Sequence, residues 1–277
     1  MASDDPSYAP TFKEHEQAGW ESRAVVYDRY TGSITRKTVQ PLLDAARVRA
    51  GTRVLDIATG LGYVAGAAAA RGAFAVGVDF ASAMVIEARK RFPGAQFGEG
   101  DAEALAFDDG AFDAAICAFG LLHLTEPERA IAEVFRVLRP RGRYAFTVWC
   151  APDKHEFFAL VLGAIKSHGS LDVPLPPAPP IFRFSDPGEC ERALTAAGFV
   201  ETEARELPLV WEPTSPGEVL DFIYKGTVRT ALMLERQTPD ALQRIHQAVL
   251  DGARRFQRGD AFRFAFPALL AAATKAP

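Results

Sequence analysis

Three carboxylates stand where chemistry could use them. Asp56 lies near the end of the apolar run Val54-Leu55-Asp56-Ile57 and is followed by the small-residue stretch Ala58-Thr59-Gly60-Leu61-Gly62. Asp79 ends the next apolar run, in Gly77-Val78-Asp79-Phe80, and Asp101 follows a third, in Gly98-Glu99-Gly100-Asp101-Ala102-Glu103. Small residues let a backbone approach a ligand without Cβ clashes. The helix after the first loop would aim unpaired N–H groups at that ligand. An acid at the tip of the second strand can reach the ribose hydroxyls of a nucleoside. A fourth run, Phe112-Asp113-Ala114-Ala115-Ile116-Cys117-Ala118-Phe119-Gly120, would close the pocket with its C-terminal end. Acids at three strand tips suit a cationic nucleoside and would repel a pyrophosphate.

Each of these residues also has an ordinary reading. Asp79 alone could be a helix N-cap, Asp101 a turn acid and Phe119 a core residue. Together they fall at the carboxyl ends of successive strands, where open α/β sheets bind ligands. His123, just after the fourth run, could act as a base if a substrate must lose a proton. It could equally pack beside a ligand or cap the next helix. The string Gly60-Leu61-Gly62-Tyr63-Val64-Ala65 satisfies G-x-G-x-x-A, so a nicotinamide-dependent oxidoreductase is the rival reading. Against it stand Asp56 and Asp101, and no tyrosine is followed four residues later by lysine.

The elements that must position these residues alternate. Strands are predicted at 53–57, 73–78, from 95 to 97 onward, 112–118 and 143–149. Helices are predicted at 62–71, 82–92 and 126–138, and Pro41 is expected to open an earlier helix that Gly51 stops. Pro140-Arg141-Gly142 reads as a turn. Short apolar strands alternating with helices imply an α/β fold, a doubly wound, mostly parallel sheet covered on both faces. Beyond Cys150 the rhythm breaks. A helix is expected at 155–168, a proline-dense loop at 175–181 and a helix at 186–197 stopped by Gly198. A strand is expected at 200–211, two or three helices at 217–255 and a last strand at 262–273. At the other end, 13–36 reads as one or two short helices, preceded by a disordered tail to about Pro10.

The bulk numbers fit one large unit or a domain with a cap: 277 residues, 48% hydrophobic. A formal net charge of -4 argues against a nucleic-acid partner. Cys117, Cys150 and Cys190 are an odd number, widely spaced and without a CxxC pair. They suggest neither a zinc site nor a disulfide framework, so no metal is expected. The acidic start Met1-Ala2-Ser3-Asp4-Asp5-Pro6 has no apolar signal region, and the apolar run 64–70 is too short to cross a bilayer. A cytoplasmic protein with no membrane span is expected.

Taken together, the sequence resembles the class I S-adenosylmethionine (SAM)-dependent methyltransferases. Within them it is similar to the branch of ubiquinone/menaquinone-biosynthesis and other small-molecule enzymes. The resemblance is carried by Val54-Leu55-Asp56, Gly77-Val78-Asp79, Gly100-Asp101-Ala102-Glu103, Phe112-Asp113 and Arg136-Val137-Leu138-Arg139-Pro140-Arg141-Gly142-Arg143, and covers about 40–149. It implies a seven-stranded Rossmann-like sheet with an added antiparallel last strand. It implies SAM as cofactor, S-adenosylhomocysteine as product and a small-molecule acceptor. Asp56 and the loop through Ala58, Thr59, Gly60 and Gly62 would hold the methionine moiety, with Asp56 facing the ammonium. Asp79 would take the ribose hydroxyls and Phe80 would lie against adenine, with Met84 beside it. Asp101 would accept from the adenine amino group, with Ala102 and Glu103 alongside. Ala118 and Phe119 would line the methionine side, and Tyr27 would fold over the cofactor. Trp20, Tyr27, Trp149 and Phe182 are candidates for an aromatic acceptor pocket, with His123 as the candidate base. The family usually has glycine at Ala58, where alanine is expected to take an ordinary φ and set the loop slightly farther from the ligand.

The implied organisation is a helical lid at 1–36, a SAM-binding core at 37–150, an insertion at 151–183 and a core continuation at 184–211. A helical cap follows at 212–260, and a final core strand at 261–277. The resemblance allows methylation of a quinone ring, although the long cap departs from that branch. A non-catalytic SAM-binding module is the other alternative. The acceptor atom and the oligomeric state are left open.

Overall fold

A computed structural model describes residues 10–277; the expected N-terminal tail before Pro10 lies outside the described residues. The seven strands of its main sheet are β1 (Arg53–Ile57), β2 (Phe74–Asp79), β3 (Gln96–Glu99), β4 (Phe112–Ala118), β5 (Leu138–Trp149), β6 (Phe199–Leu207) and β7 (Ala268–Lys275). Their spatial order is β3-β2-β1-β4-β5-β7-β6. The first five are parallel, and β7 runs antiparallel between β5 and β6. The order reverses between β1 and β4, which opens a crevice at their carboxyl ends.

The helices are α1 (Phe12–Arg23), α2 (Thr31–Thr35), α3 (Val39–Ala45), α4 (Tyr63–Ala70), α5 (Ser82–Arg91), α6 (Pro127–Val137), α7 (Glu156–His168), α8 (Pro187–Ala196), α9 (Pro216–Gly226), α10 (Arg229–Glu235) and α11 (Pro239–Ala253). Alternation along β5 sorts its side chains to two cores. Tyr144, Phe146 and Val148 meet Ile131 and Val134 of α6 and Leu194 of α8. Ala145 and Trp149 belong to the opposite face, with Leu42, Val64 and Val85. The helices after β5 extend that second core through Phe157, Ile165, Phe222, Ile245 and Val249. These helices therefore share one apolar interior with the sheet. Helices α8, α9 and α11 each begin on a capping side chain followed by proline: Asp186-Pro187, Ser215-Pro216 and Thr238-Pro239. That pairing sets their starts within the proline-rich half.

Several boundaries differ from expectation. Helix α3 begins before Pro41 and ends at Ala45, because Arg47 takes a left-handed φ of 56° and turns the chain ahead of Gly51. Strand β5 starts at Leu138. The Pro140-Arg141-Gly142 segment bulges within it, with Arg141 at φ 64°, and the register against β4 slips between Phe112 and Ala114. The expected strand 200–211 breaks after Leu207. Val210–Trp211 leaves the sheet to pair with Phe264–Ala265. The last sheet strand starts at Ala268, not Phe262, since the phenylalanines before it turn into the aromatic core.

Candidate functional site

The loop after β1 is built around Asp56. The carboxylate is buried; its Oδ2 accepts from Thr59 Oγ1 at 2.5 Å and from the Ala65 amide at 3.0 Å. Its Oδ1 is buried with no partner. Burial, opposed by these two hydrogen bonds, pushes the Asp56 pKa up to about 7. Asp56 thus fixes the loop onto α4. Gly62 stands at the N-cap with φ 84°, where a Cβ would meet the Phe97 ring at 2.8 Å. Ala58 does not keep the ordinary φ expected of it. It adopts φ 53°, because the chain must turn sharply out of β1. Phe119 makes the same kind of turn after β4, with φ 58°. Gly120 next to it leaves room: a Cβ there would lie 2.7 Å from that of Ala58 and 2.6 Å from Cys117 Sγ. Left-handed alanine and phenylalanine are costly and persist where the surroundings over-determine them.

Asp79 is also buried. Its Oδ2 accepts from the Gly60 amide at 2.8 Å and its Oδ1 from the Ala81 amide at 2.9 Å. It is at once a turn acid and a strand-tip acid, and each oxygen retains a lone pair for another donor. Burial, opposed by these amides, pushes its pKa up to about 6.

One cleft gathers most of the expected residues. Ala58, Gly60, Asp79, Phe80, Met84, Asp101, Ala102, Glu103, Ala118, Phe119, His123, Trp20, Tyr27 and Trp149 all line it. Asp56, Thr59 and Gly62 lie behind its wall. Phe182 does not face it either: the turn closed by Arg183 N on Pro180 O presents Ile181 instead, and Phe182 packs on Phe158 with ring centroids 5.0 Å apart. At its other end the cleft is aromatic. Trp149 lies 4.0 Å from Phe119 and 5.0 Å from Phe266 by ring centroids, with Phe158 and Phe222 completing that wall. Tyr27 is half-buried, and the surrounding side chains push its hydroxyl up to about 12; it meets Thr35 Oγ1 at 3.3 Å.

Helix α1 covers the acidic end. A capping box of Thr11 and Glu14 starts it. Lys13, Gln17 and Glu21, spaced by four on one stripe, reach two strand-tip segments, those after β3 and β2. Lys13 Nζ donates to Asp101 Oδ2 at 2.5 Å and to Glu103 Oε2 at 3.1 Å. Gln17 donates to Phe80 O, and Glu21 accepts from the Ser82 and Ala83 amides, capping α5, which lacks a capping side chain of its own. Partial burial works against ionisation of Asp101, yet Lys13 holds its pKa below the usual carboxylate value. The third acid is therefore already paired, with Oδ1 accepting from Glu103 N. A second stripe of α1, Phe12, Glu16 and Trp20, is buried, and Glu16 reaches His123. Lys13, Glu16 and Glu21 escaped the sequence reading. The available signal was an acid inside an apolar stripe of period four.

A family model described as a methyltransferase domain matches residues 55–146. Within this segment the chain is similar to methyltransferase domains. The chain is 40% identical over 118 residues to a demethylmenaquinone methyltransferase of Beutenbergia cavernae, covering 43% of this chain and 49% of that one. It is 35% identical over 127 residues to the ubiquinone/menaquinone biosynthesis C-methyltransferase UbiE of Roseobacter denitrificans, covering 43% and 51%. The chain spans about half the length of these curated relatives. Among solved structures, phosphoethanolamine N-methyltransferase 2 of Haemonchus contortus, in complex with SAM, shares the fold. Its TM-score is 0.59 at 15% identity, over 99% of this chain and 62% of that one. The [4+2]-cyclase SpnF is as similar, with TM-score 0.58 and 21% identity over 97% and 98%. One fold thus serves a methyltransferase and a cyclase, and the choice of reaction rests on the site. Among the described residues no helix is long and apolar enough to cross a membrane, and the three cysteines are buried and unpaired.

Proposed function

We propose that this chain transfers a methyl group from SAM to a small hydroxylated aromatic acceptor. The observation that carries this is the two-ended cleft, with buried acids at one end and an aromatic wall at the other. The acid end fits SAM: Asp79 lines it with a lone pair left on each oxygen, Asp56 stands behind it with Oδ1 unpartnered, and burial raises both pKa values, so a nearby cation would favour their ionised forms. The cofactor role expected of Asp56, Asp79, Phe80 and the loop through Gly62 is part of this proposal, as are the lid, core and cap divisions. When bound, SAM supplies an activated methyl on a sulfonium, so no metal is needed in principle. The chain's part is to bind, align and exclude water. Asp79 would receive ribose hydroxyls, and Asp101 would serve the adenine edge while still held by Lys13. Trp149, Phe158, Phe222 and Phe266 would stack the acceptor ring and keep the site dry. The quinone-linked names of the relatives support an aromatic acceptor, and the unpaired buried thiols agree with a cytoplasmic setting.

Isothermal titration with SAM, S-adenosylhomocysteine and NADH tests the cofactor, and product analysis with anaerobic 1,4-naphthohydroquinone tests the acceptor. SAM binding with methylated product is expected. Tight NADH binding without SAM binding would favour the oxidoreductase.

The two raised acids also set a pH dependence of opposite sign for empty and loaded protein. Their folded pKa values lie above the unfolded ones, so the empty fold binds more protons between about pH 4 and 7 and loses stability as pH rises through that window. A cation prefers the ionised acids. SAM affinity is therefore expected to fall several-fold as pH is lowered from about 8 through the values near 7 and 6. Titrations at a series of pH values and melting curves of the empty protein would show the two trends. A flat SAM affinity would count against cation binding at these acids.

A further inference from the structure

The inner stripe of α1 buries an acid. Glu16 has no exposed surface, and its Oε2 accepts from Trp20 Nε1 at 3.1 Å and lies 2.7 Å from His123 Nδ1. Its Oε1 has no partner. An unprotected carboxylate is costly to bury, so a glutamate here calls for a role that an apolar residue could not fill. His123 sits in the short turn Leu121–His123 after β4, with its ring edge-on to Trp20 at 5.0 Å between centroids. The ring lines the cleft, and its Nε2 makes no hydrogen bond among the described residues.

We propose that Glu16 is the positioning residue of a carboxylate–histidine pair in which His123 Nε2 takes a proton from the methyl acceptor. This rests on the methyl-transfer reading above. An ionised carboxylate can only accept, so Nδ1 carries the ring proton and Nε2 keeps its lone pair for the cleft. In the step, the acceptor's O–H bond breaks and its electron pair stays on oxygen. The proton forms the N–H bond at Nε2, and Glu16 opposes the positive charge that appears on the ring. The proton passes to water after product leaves. The oxygen is then the stronger nucleophile; where the ring carbon it activates takes the methyl instead, that carbon's own proton leaves to water as the ring regains aromaticity. Because Glu16 belongs to α1, the base is complete only while Lys13, Gln17 and Glu21 seat that helix on the strand tips. Proton removal is thereby tied to closure of the cleft.

The test uses full-length protein labelled with 15N-histidine and saturated with S-adenosylhomocysteine. The His123 ring shifts should show a protonated Nδ1 and a bare Nε2 in the wild type, and a mixture of tautomers in Glu16→Gln. With SAM and anaerobic 1,4-naphthohydroquinone, His123→Ala should lower turnover at least ~100-fold. Glu16→Gln should lower it roughly 10- to 100-fold, and both should bind SAM within about threefold of wild type. Glu16→Asp, which keeps the charge, should recover more turnover than Glu16→Gln; the reverse order would mark Glu16 as packing and overturn the pair. An Nε2-protonated wild type, or spectra and turnover indifferent to Glu16→Gln, would also overturn it. A wild type that binds SAM but never methylates the probe would overturn the hydroxylated acceptor. A wild type that binds no SAM would instead sink the methyl-transfer reading.

Discussion

Asp79→Ala is expected to weaken SAM binding roughly 30- to 150-fold, or about 2–3 kcal/mol, the scale of hydrogen bonds to a charged acceptor. Two losses combine. The carboxylate that would meet the ribose hydroxyls is gone, and the Gly60 and Ala81 amides lose their acceptor. Gly60 lies in the loop that Asp56 ties to α4, so the loop is freed from one side only. The two orphaned amides cost the folded protein stability, and removal of a buried acid with a raised pKa offsets part of that cost near neutral pH. The loss of affinity should therefore exceed the loss of stability. Isothermal titration beside a melting curve reads both, and unchanged affinity would refute the ribose role.

Phe266→Ala should cause a larger loss of stability, about 3–5 kcal/mol, the range for truncating a buried phenylalanine. Phe266 is fully buried and lies against Trp149, His155, Phe157, Phe158, Trp211 and Phe222, with centroids between 4.0 and 6.3 Å. Those rings come from β5, α7 and its N-cap, α9 and the segment after β6, so this side chain joins the later helices to the sheet. His155 beside it is held neutral: burial lowers its pKa to about 3. The cavity would be lined by rings that cannot collapse without shifting whole helices. A fall in melting temperature on the order of 10 °C follows. Among survivors, the Michaelis constant for the aromatic probe should rise far more than that for SAM, because the phenylalanine faces only the aromatic end of the cleft. A melting temperature within about 2 °C of wild type would contradict this account of how the cap is anchored.

The parallel core was readable because its signals are local. Val54, Leu55 and Ile57 make an apolar strand by themselves, and an acid at its tip followed by small residues needs no knowledge of the rest of the chain. The same locality explains the errors. Alternation in 200–211 continues past Leu207, but Trp211 finds more apolar contact among Phe157, Phe222 and Phe264 than in the sheet edge, and the strand breaks. The aromatic run 262–266 has strand composition and is pulled into the same cluster. Ile181, not Phe182, faces the cleft because a tight turn sets the side-chain direction there, and size gave no hint of it. Lys13 meets Asp101 across 88 residues and Glu16 meets His123 across 107. No short-range pattern announces such pairs. Only the intrusion of Glu16 into the stripe of Phe12 and Trp20 hinted that the helix had an acid to hide.

The left-handed turns at Ala58 and Phe119 have a consequence for how the cleft works. They end neighbouring strands, which pair at Ile57 and Cys117, and they bend away from the sheet side by side. Their unfavourable geometry is met once, when the chain folds, and is not met again at each encounter with a ligand. The floor of the cleft is thus a fixed template with little shape left to find, while adaptation is left to the single helix laid across it.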